Sequence, residues 1–146
     1  MPRVAFITLG CRVNQAETAR LIAQFSATGF SIARPEDPCD AVVVHGCAVT
    51  REAERQSRQA ARAALRRTPP PRAVVLAGCA AEAIRRFGNP QMLPSPILLA
   101  GQAEKESLPS LVASALGLIT LPPNPAGVTP CFNSVRAWLK IQDGCD

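Results

Sequence analysis

With 146 residues, 47% of them hydrophobic, the chain can bury one core without disulfides or metal to hold it, and one domain with some excess is expected. The longest apolar stretch, 111–121, is too short to cross a bilayer, and Met1-Pro2-Arg3 runs into an apolar segment with no basic lead-in or cleavage site. These features exclude a spanning segment and lead us to expect a cytoplasmic monomer with no membrane partner, its six cysteines reduced or occupied.

Val4-Ala5-Phe6-Ile7-Thr8-Leu9-Gly10-Cys11 predicts a strand buried on both faces, because its apolar residues are continuous instead of alternating. A helix follows, with Asn14 as N-cap, Glu17 three residues on, and Leu21, Ile22 and Phe25 as the inward stripe. Gly29 ends it, 30–33 reads as a short strand, and 34–40 as a polar turn. Ala41-Val42-Val43-Val44-His45-Gly46-Cys47 repeats the opening pattern, and Thr50 then caps a second helix with Glu52 and Glu54 in its first turn. Arg51, Arg55, Arg58, Arg62 and Arg66 recur at steps of four and three, which sets them on one helix face; Ala53, Ala60, Ala64 and Leu65 are assigned to the other. Seven arginines between Arg51 and Arg72 against two glutamates place the whole formal charge of +5 on this helix and the loop after it.

Pro69-Pro70-Pro71 stops the helix, and Ala73-Val74-Val75-Leu76-Ala77-Gly78-Cys79 is the third strand of the same kind. A short helix over 80–87 and a loop over 88–96 lead to Ile97-Leu98-Leu99-Ala100-Gly101-Gln102, a fourth such strand with glutamine where the others carry cysteine. A last helix over 107–116 closes a domain spanning 1–120. Residues 121–133 read as a proline-rich linker, and 134–146 as the opening strand of a second domain ending in Gly144-Cys145, so the chain is expected to be a piece of a longer protein.

The three Gly-Cys strand ends recur after 36 and 32 residues, about the length of a strand-plus-helix unit. Parallel strands joined by right-handed crossovers all exit on one sheet edge, and neighbours lie about 4.8 Å apart, so Cys11, Cys47 and Cys79 are expected to build one site. Thiolates take soft metals, either zinc or an iron–sulfur cluster. No C-x2-C pair favours zinc, whereas three thiolates on a cubane leave one iron open to an outside ligand. His45 is read as a packing or hydrogen-bonding residue, and Cys39 and Cys131, in proline-containing loops, as structural or incidental. No phosphate-binding glycine motif is present, which disfavours nucleotide-phosphate chemistry. Two other classes stay open: a zinc-stabilised RNA-binding module without catalysis, and a thiol redox sensor, which lacks a close cysteine pair.

Thr8-Leu9-Gly10-Cys11-Arg12-Val13-Asn14-Gln15, Gly46-Cys47-Ala48-Val49-Thr50, Ser57-Arg58-Gln59, Gly78-Cys79 and Leu139-Lys140-Ile141-Gln142-Asp143-Gly144-Cys145 together resemble the methylthiotransferase family of radical S-adenosylmethionine enzymes. The resemblance implies an α/β fold, a flavodoxin-like parallel sheet flanked by helices, followed by the first strand of a truncated radical barrel. It implies an auxiliary [4Fe–4S] cluster on Cys11, Cys47 and Cys79, a second cluster whose first ligand is Cys145, and S-adenosylmethionine bound by the domain that follows. Gly10-Cys11-Arg12-Val13-Asn14 is most similar to the branch that adds sulfur and a methyl group at C2 of N6-threonylcarbamoyladenosine at position 37 of tRNA; the isopentenyladenosine and ribosomal-protein branches are the alternatives. His45-Gly46-Cys47 departs from the family's usual Asn-Thr-Cys. The resemblance further implies tRNA as partner, with the arginine face a candidate RNA grip or simply a solvated helix surface; nothing in these motifs names the sulfur donor, and a domain lacking the barrel is expected to be inactive by itself.

Overall fold

A computed structural model of the chain describes residues 1–88, 93–94 and 96–118. The continuous apolar segments are the strands β1 (Arg3–Thr8), β3 (Ala41–Gly46), β4 (Ala73–Gly78) and β5 (Ile97–Ala100), with the short β2 (Ser31–Ala33) between the first two in sequence. All pair in parallel, in the order β2-β1-β3-β4-β5, the flavodoxin-like doubly wound arrangement. All six residues of β3 and of β4 are buried, which is why their sequences show no polar alternation.

The helices α1 (Arg12–Ala27) and α4 (Leu108–Ala115) supply Leu21, Phe25, Leu108 and Val112 to one face of the sheet, against Val4, Phe6, Val43 and Val75. The Phe25 ring meets Phe6 edge-on with centroids 5.2 Å apart and lies 5.0 Å from Phe30. On the other face α2 (Arg51–Leu65) and α3 (Cys79–Phe87) supply Ala61, Ala64, Ala81 and Ile84 against Ala5, Val42, Val44, Val74 and Leu76. Small inward residues let α2 come close to the sheet. Its inward row is Ser57, Ala61 and Ala64: of the predicted residues Ala64 is buried, whereas Ala53, one turn before Ser57, and Ala60 and Leu65, each next to an inward residue, are half-buried.

Three local expectations are corrected. Helix α1 begins at Arg12, not after Asn14, and the capping position falls on Cys11 with no side-chain cap; Asn14 is buried and bonded across the sheet edge instead. Strand β2 starts at Ser31 because Phe30, 1% exposed, turns into the core. Strand β5 stops at Ala100, short of the expected end at Gln102, because a 3-10 helix, Gln102–Ser107, begins there; the Gly101 N–H donates to the Glu104 carboxylate at 2.5 Å and tightens the turn. Gly29 ends the α1 region as expected, with φ +92°. Among the described residues no helix is long and apolar enough to cross a membrane. The predicted linker 121–133, the strand within 134–146, the domain boundary near 120, and Cys131 and Cys145 lie outside the described residues.

Candidate metal centre

The chain leaves β1 toward β2 on one side and crosses to β3 on the other, so the carboxyl ends of β1 and β3 flank a switch point, where open α/β sheets hold ligands. A hollow there is lined by Cys11, Cys47 and Cys79 together with Val13, Asn14, Glu17, Val49 and Gln102, and has about 340 Å3 of atom-free space including the open mouth. The structure therefore brings the three predicted cysteines to one place. Among the described residues, no three His, Cys, Asp or Glu side chains are gathered tightly enough to hold a single metal ion.

Register explains the spacing of the cysteines. Gly46 pairs with Gly78, an offset of 32 that sets Cys47 and Cys79 side by side. Thr8 pairs with His45, an offset of 37, so continuing the register puts Gly10 beside Cys47 and leaves Cys11 one step further out. The contact is intimate: a Cβ on Gly10, whose φ is +102°, would stand 2.4 Å from Cys47 Cβ and 3.1 Å from its Sγ. Glycine there makes room for the neighbouring cysteine. At Gly78, with φ +87°, an added Cβ would meet the His45 ring at 2.7 Å.

Each cysteine has its own support. Cys47, 5% exposed, donates its N–H to Ser57 Oγ at 3.0 Å, and that hydroxyl also lies 3.1 Å from the Cys47 carbonyl, which ties the loop to α2. Cys79, half-buried, is the first residue of α3, and its Sγ accepts from Gln102 Nε2 at 3.0 Å. Cys11 is exposed and sits at the amino end of α1, so two of the three sulfurs are placed at helix N-termini, where the dipole favours negative charge. Asn14 bridges the loops by donating to the Leu9 carbonyl at 2.8 Å and the Gly46 carbonyl at 3.3 Å.

Glu17, which lines the hollow, belongs to a polar layer that its capping-box reading missed. Glu17, its side chain 8% exposed, is ion-paired with Lys105 and stands 3.4 Å from His45 Nε2. His45 is wholly buried, as a packing and hydrogen-bonding residue, with Nδ1 2.9 Å from Thr18 Oγ1; Thr18 in turn accepts from Thr8 at 2.9 Å. Only a partner 88 residues away reveals what Glu17 does. Val13, Val49 and Gln102 were not predicted to line the site; for Gln102 the signal was its place at the fourth strand exit, read as the loss of a thiol.

The arginine row stands apart from the hollow. Arg51, Arg55, Arg62 and Arg66 are exposed and Arg58 is half-buried, on the side of α2 away from Ser57, Ala61 and Ala64. Thr50 caps the helix by accepting the Ala53 N–H at 3.0 Å. Arg55 pairs with Glu52 at 2.7 Å and Arg58 with Glu54 at 3.5 Å. The Arg55 guanidinium holds the Glu52 carboxyl down to about 2. Cys39 does not line the hollow; burial pushes its thiol up, against the low-lying thiolate a redox sensor needs.

The model of a family described as "Uncharacterized protein family UPF0004" matches residues 3–87. Among curated proteins, the chain is similar to the threonylcarbamoyladenosine tRNA methylthiotransferase MtaB of Aquifex aeolicus, 35% identical over 159 residues covering 99% of this chain and 37% of the relative. It is also similar to the ribosomal protein uS12 methylthiotransferases RimO of Mesorhizobium japonicum, 31% identical over 99% of this chain and 33% of the relative, and of Bradyrhizobium diazoefficiens, 28% identical over the same shares. The chain thus spans about a third of the length of these curated relatives.

Proposed function

The chain belongs to the uncharacterized protein family UPF0004, and from that premise we propose that it is the amino-terminal part of a methylthiotransferase whose Cys11, Cys47 and Cys79 hold an auxiliary [4Fe–4S] cluster. The observation that carries the proposal is the meeting of three cysteines from distant strand ends in one hollow. The donor set suits a cluster better than an ion. With Zn–S near 2.3 Å, thiolates on one zinc stand within about 4 Å of each other, and no such tight group occurs among the described residues. A cubane spreads its thiolates over separate irons.

When bound, the cluster supplies an iron that none of the three thiolates occupies, open to an outside sulfur ligand. The chain's own residues set the conditions. Ser57 fixes the Cys47 backbone, Gln102 fixes the Cys79 sulfur, and Gly10 lets the β1 and β3 loops close on each other. Val13 and Val49, 45% and 70% exposed, give the mouth an apolar rim that sheds water once a substrate is seated. On this reading domain 1–120 is joined by the linker 121–133 to a radical domain that begins at 134, in which Cys145 is the first ligand of a second cluster and S-adenosylmethionine is bound.

For the substrate, N6-threonylcarbamoyladenosine at position 37 of tRNA is favoured over a ribosomal protein. The Gly10-Cys11-Arg12-Val13-Asn14 motif and the tRNA-modifying relative from Aquifex support that choice. The arginine row on α2 then serves to hold RNA phosphates, and the protein works in the cytoplasm. Anaerobic reconstitution of the chain with iron and sulfide is expected to give about four irons per chain and a cubane spectrum. Each of Cys11→Ser, Cys47→Ser and Cys79→Ser should lose it, and Cys39→Ser should keep it. Preferential uptake of zinc, or iron uptake indifferent to those three cysteines, would reject the proposal.

A further inference from the structure

The fourth strand exit also reaches the hollow, and it brings an amide in place of a thiol. Gln102 Nε2 donates to Cys79 Sγ at 3.0 Å, and no such donor is found on the sulfurs of Cys11 or Cys47 among the hydrogen bonds of the described residues. The turn that carries this amide is fastened to the helix that carries the sulfur. Arg85, six residues along α3 from Cys79, donates to the Glu104 carboxylate at 2.5 Å and to the Leu99 carbonyl at 2.5 Å. Glu104 also accepts the N–H of Gly101, the residue before Gln102, at 2.5 Å. Arg85 first, then the Gly101 N–H, hold the Glu104 carboxyl below its ordinary range, so the clamp is ionised at neutral pH. Helix and turn therefore move as one piece, and the distance from amide to sulfur is set by three further contacts.

We propose that Gln102 is a positioning residue that sets the reduction potential of the cluster through the Cys79 sulfur, an inference that rests on the cluster reading above. A hydrogen bond to a ligand sulfur draws electron density from it, and an added electron is borne partly on the thiolates. The donor thus stabilises the reduced form more than the oxidised form, and makes one cysteine of the three electronically distinct.

The test uses the reconstituted 146-residue chain, with Gln102→Leu and Gln102→Glu, both close to glutamine in size and without the amide donor. The readout is the midpoint potential, followed by electron paramagnetic resonance. Both variants are expected to fold and hold the same iron as the parent, with the reduced-to-oxidised ratio at a fixed potential lowered about tenfold, equivalent to a midpoint about 59 mV more negative for a one-electron couple. Loss of the cluster from both folded variants, with the parent loaded, overturns the positioning role, because Gln102 would then be needed to retain the cluster and not to set its potential. Unchanged midpoints with unchanged iron overturn it while leaving the cluster reading intact. A parent chain that gives no cubane spectrum overturns that reading and this inference together.

Discussion

Gly10→Ala tests the claim that the Gly-Cys signature is a packing requirement at the strand exits. At φ +102° the alanine would be held in the left-handed region, at a cost of about 1–2 kcal/mol. Its Cβ would also stand 2.4 Å from Cys47 Cβ, an atom next to the backbone in a residue 5% exposed, which has little freedom to retreat. Such overpacking costs about 1–3 kcal/mol, so the expected total is about 2–5 kcal/mol. Gly117→Ala separates the two effects: φ there is +71°, and an added Cβ meets nothing within 4 Å, so only the conformational cost of about 1–2 kcal/mol applies. Urea unfolding of both variants beside the parent chain measures the difference. Equal losses at the two glycines would refute the argument that Gly10 exists to admit Cys47.

Three further outcomes are expected. Lys105→Met takes the cation away from the Glu17 carboxylate in the buried layer, leaving His45 beside it, and should cost up to about 3–5 kcal/mol, much of it recovered when Glu17→Gln is added; strictly additive losses would contradict the pairing. Glu104, held below the ordinary value of 4.5 by Arg85, contributes stability that is present above that value and lost as pH falls through its lower folded one. Thermal melts should accordingly show the parent chain's advantage over Glu104→Gln at pH 6 closing below about pH 4.5, and a constant advantage would refute it. Arg58→Glu combined with Arg62→Glu should weaken tRNA binding and flatten its dependence on salt in filter binding; unchanged affinity at low salt would remove the arginine row from the RNA interface.

How much of this was readable in the residues follows from the range of each interaction. Burial on both faces leaves a local mark, and Val42-Val43-Val44 and Val74-Val75-Leu76 announced β3 and β4 with their ends and thereby the common edge. Thr50 as a cap is a spacing effect within one helix and was legible too, whereas the Arg55 and Arg58 pairings, although equally local, were not read from the spacing. Asn14 and Glu17 were misread because a capping rule scores neighbours three residues apart. Their real partners are Gly46 and Lys105, brought close by the crossovers. Gln102 was seen as a missing cysteine; that it bonds to Cys79 depends on a 3-10 helix that no periodicity signals. The one-residue stagger between β1 and β3 is equally silent, since 36 and 37 residues both suit a crossover unit.

The sheet tapers. Its outermost strands, β2 with three residues and β5 with four, are shorter than the six-residue strands between them. A strand that brief offers a second chain few unpaired amides to zip onto, so lateral growth of the sheet is blunted at both borders.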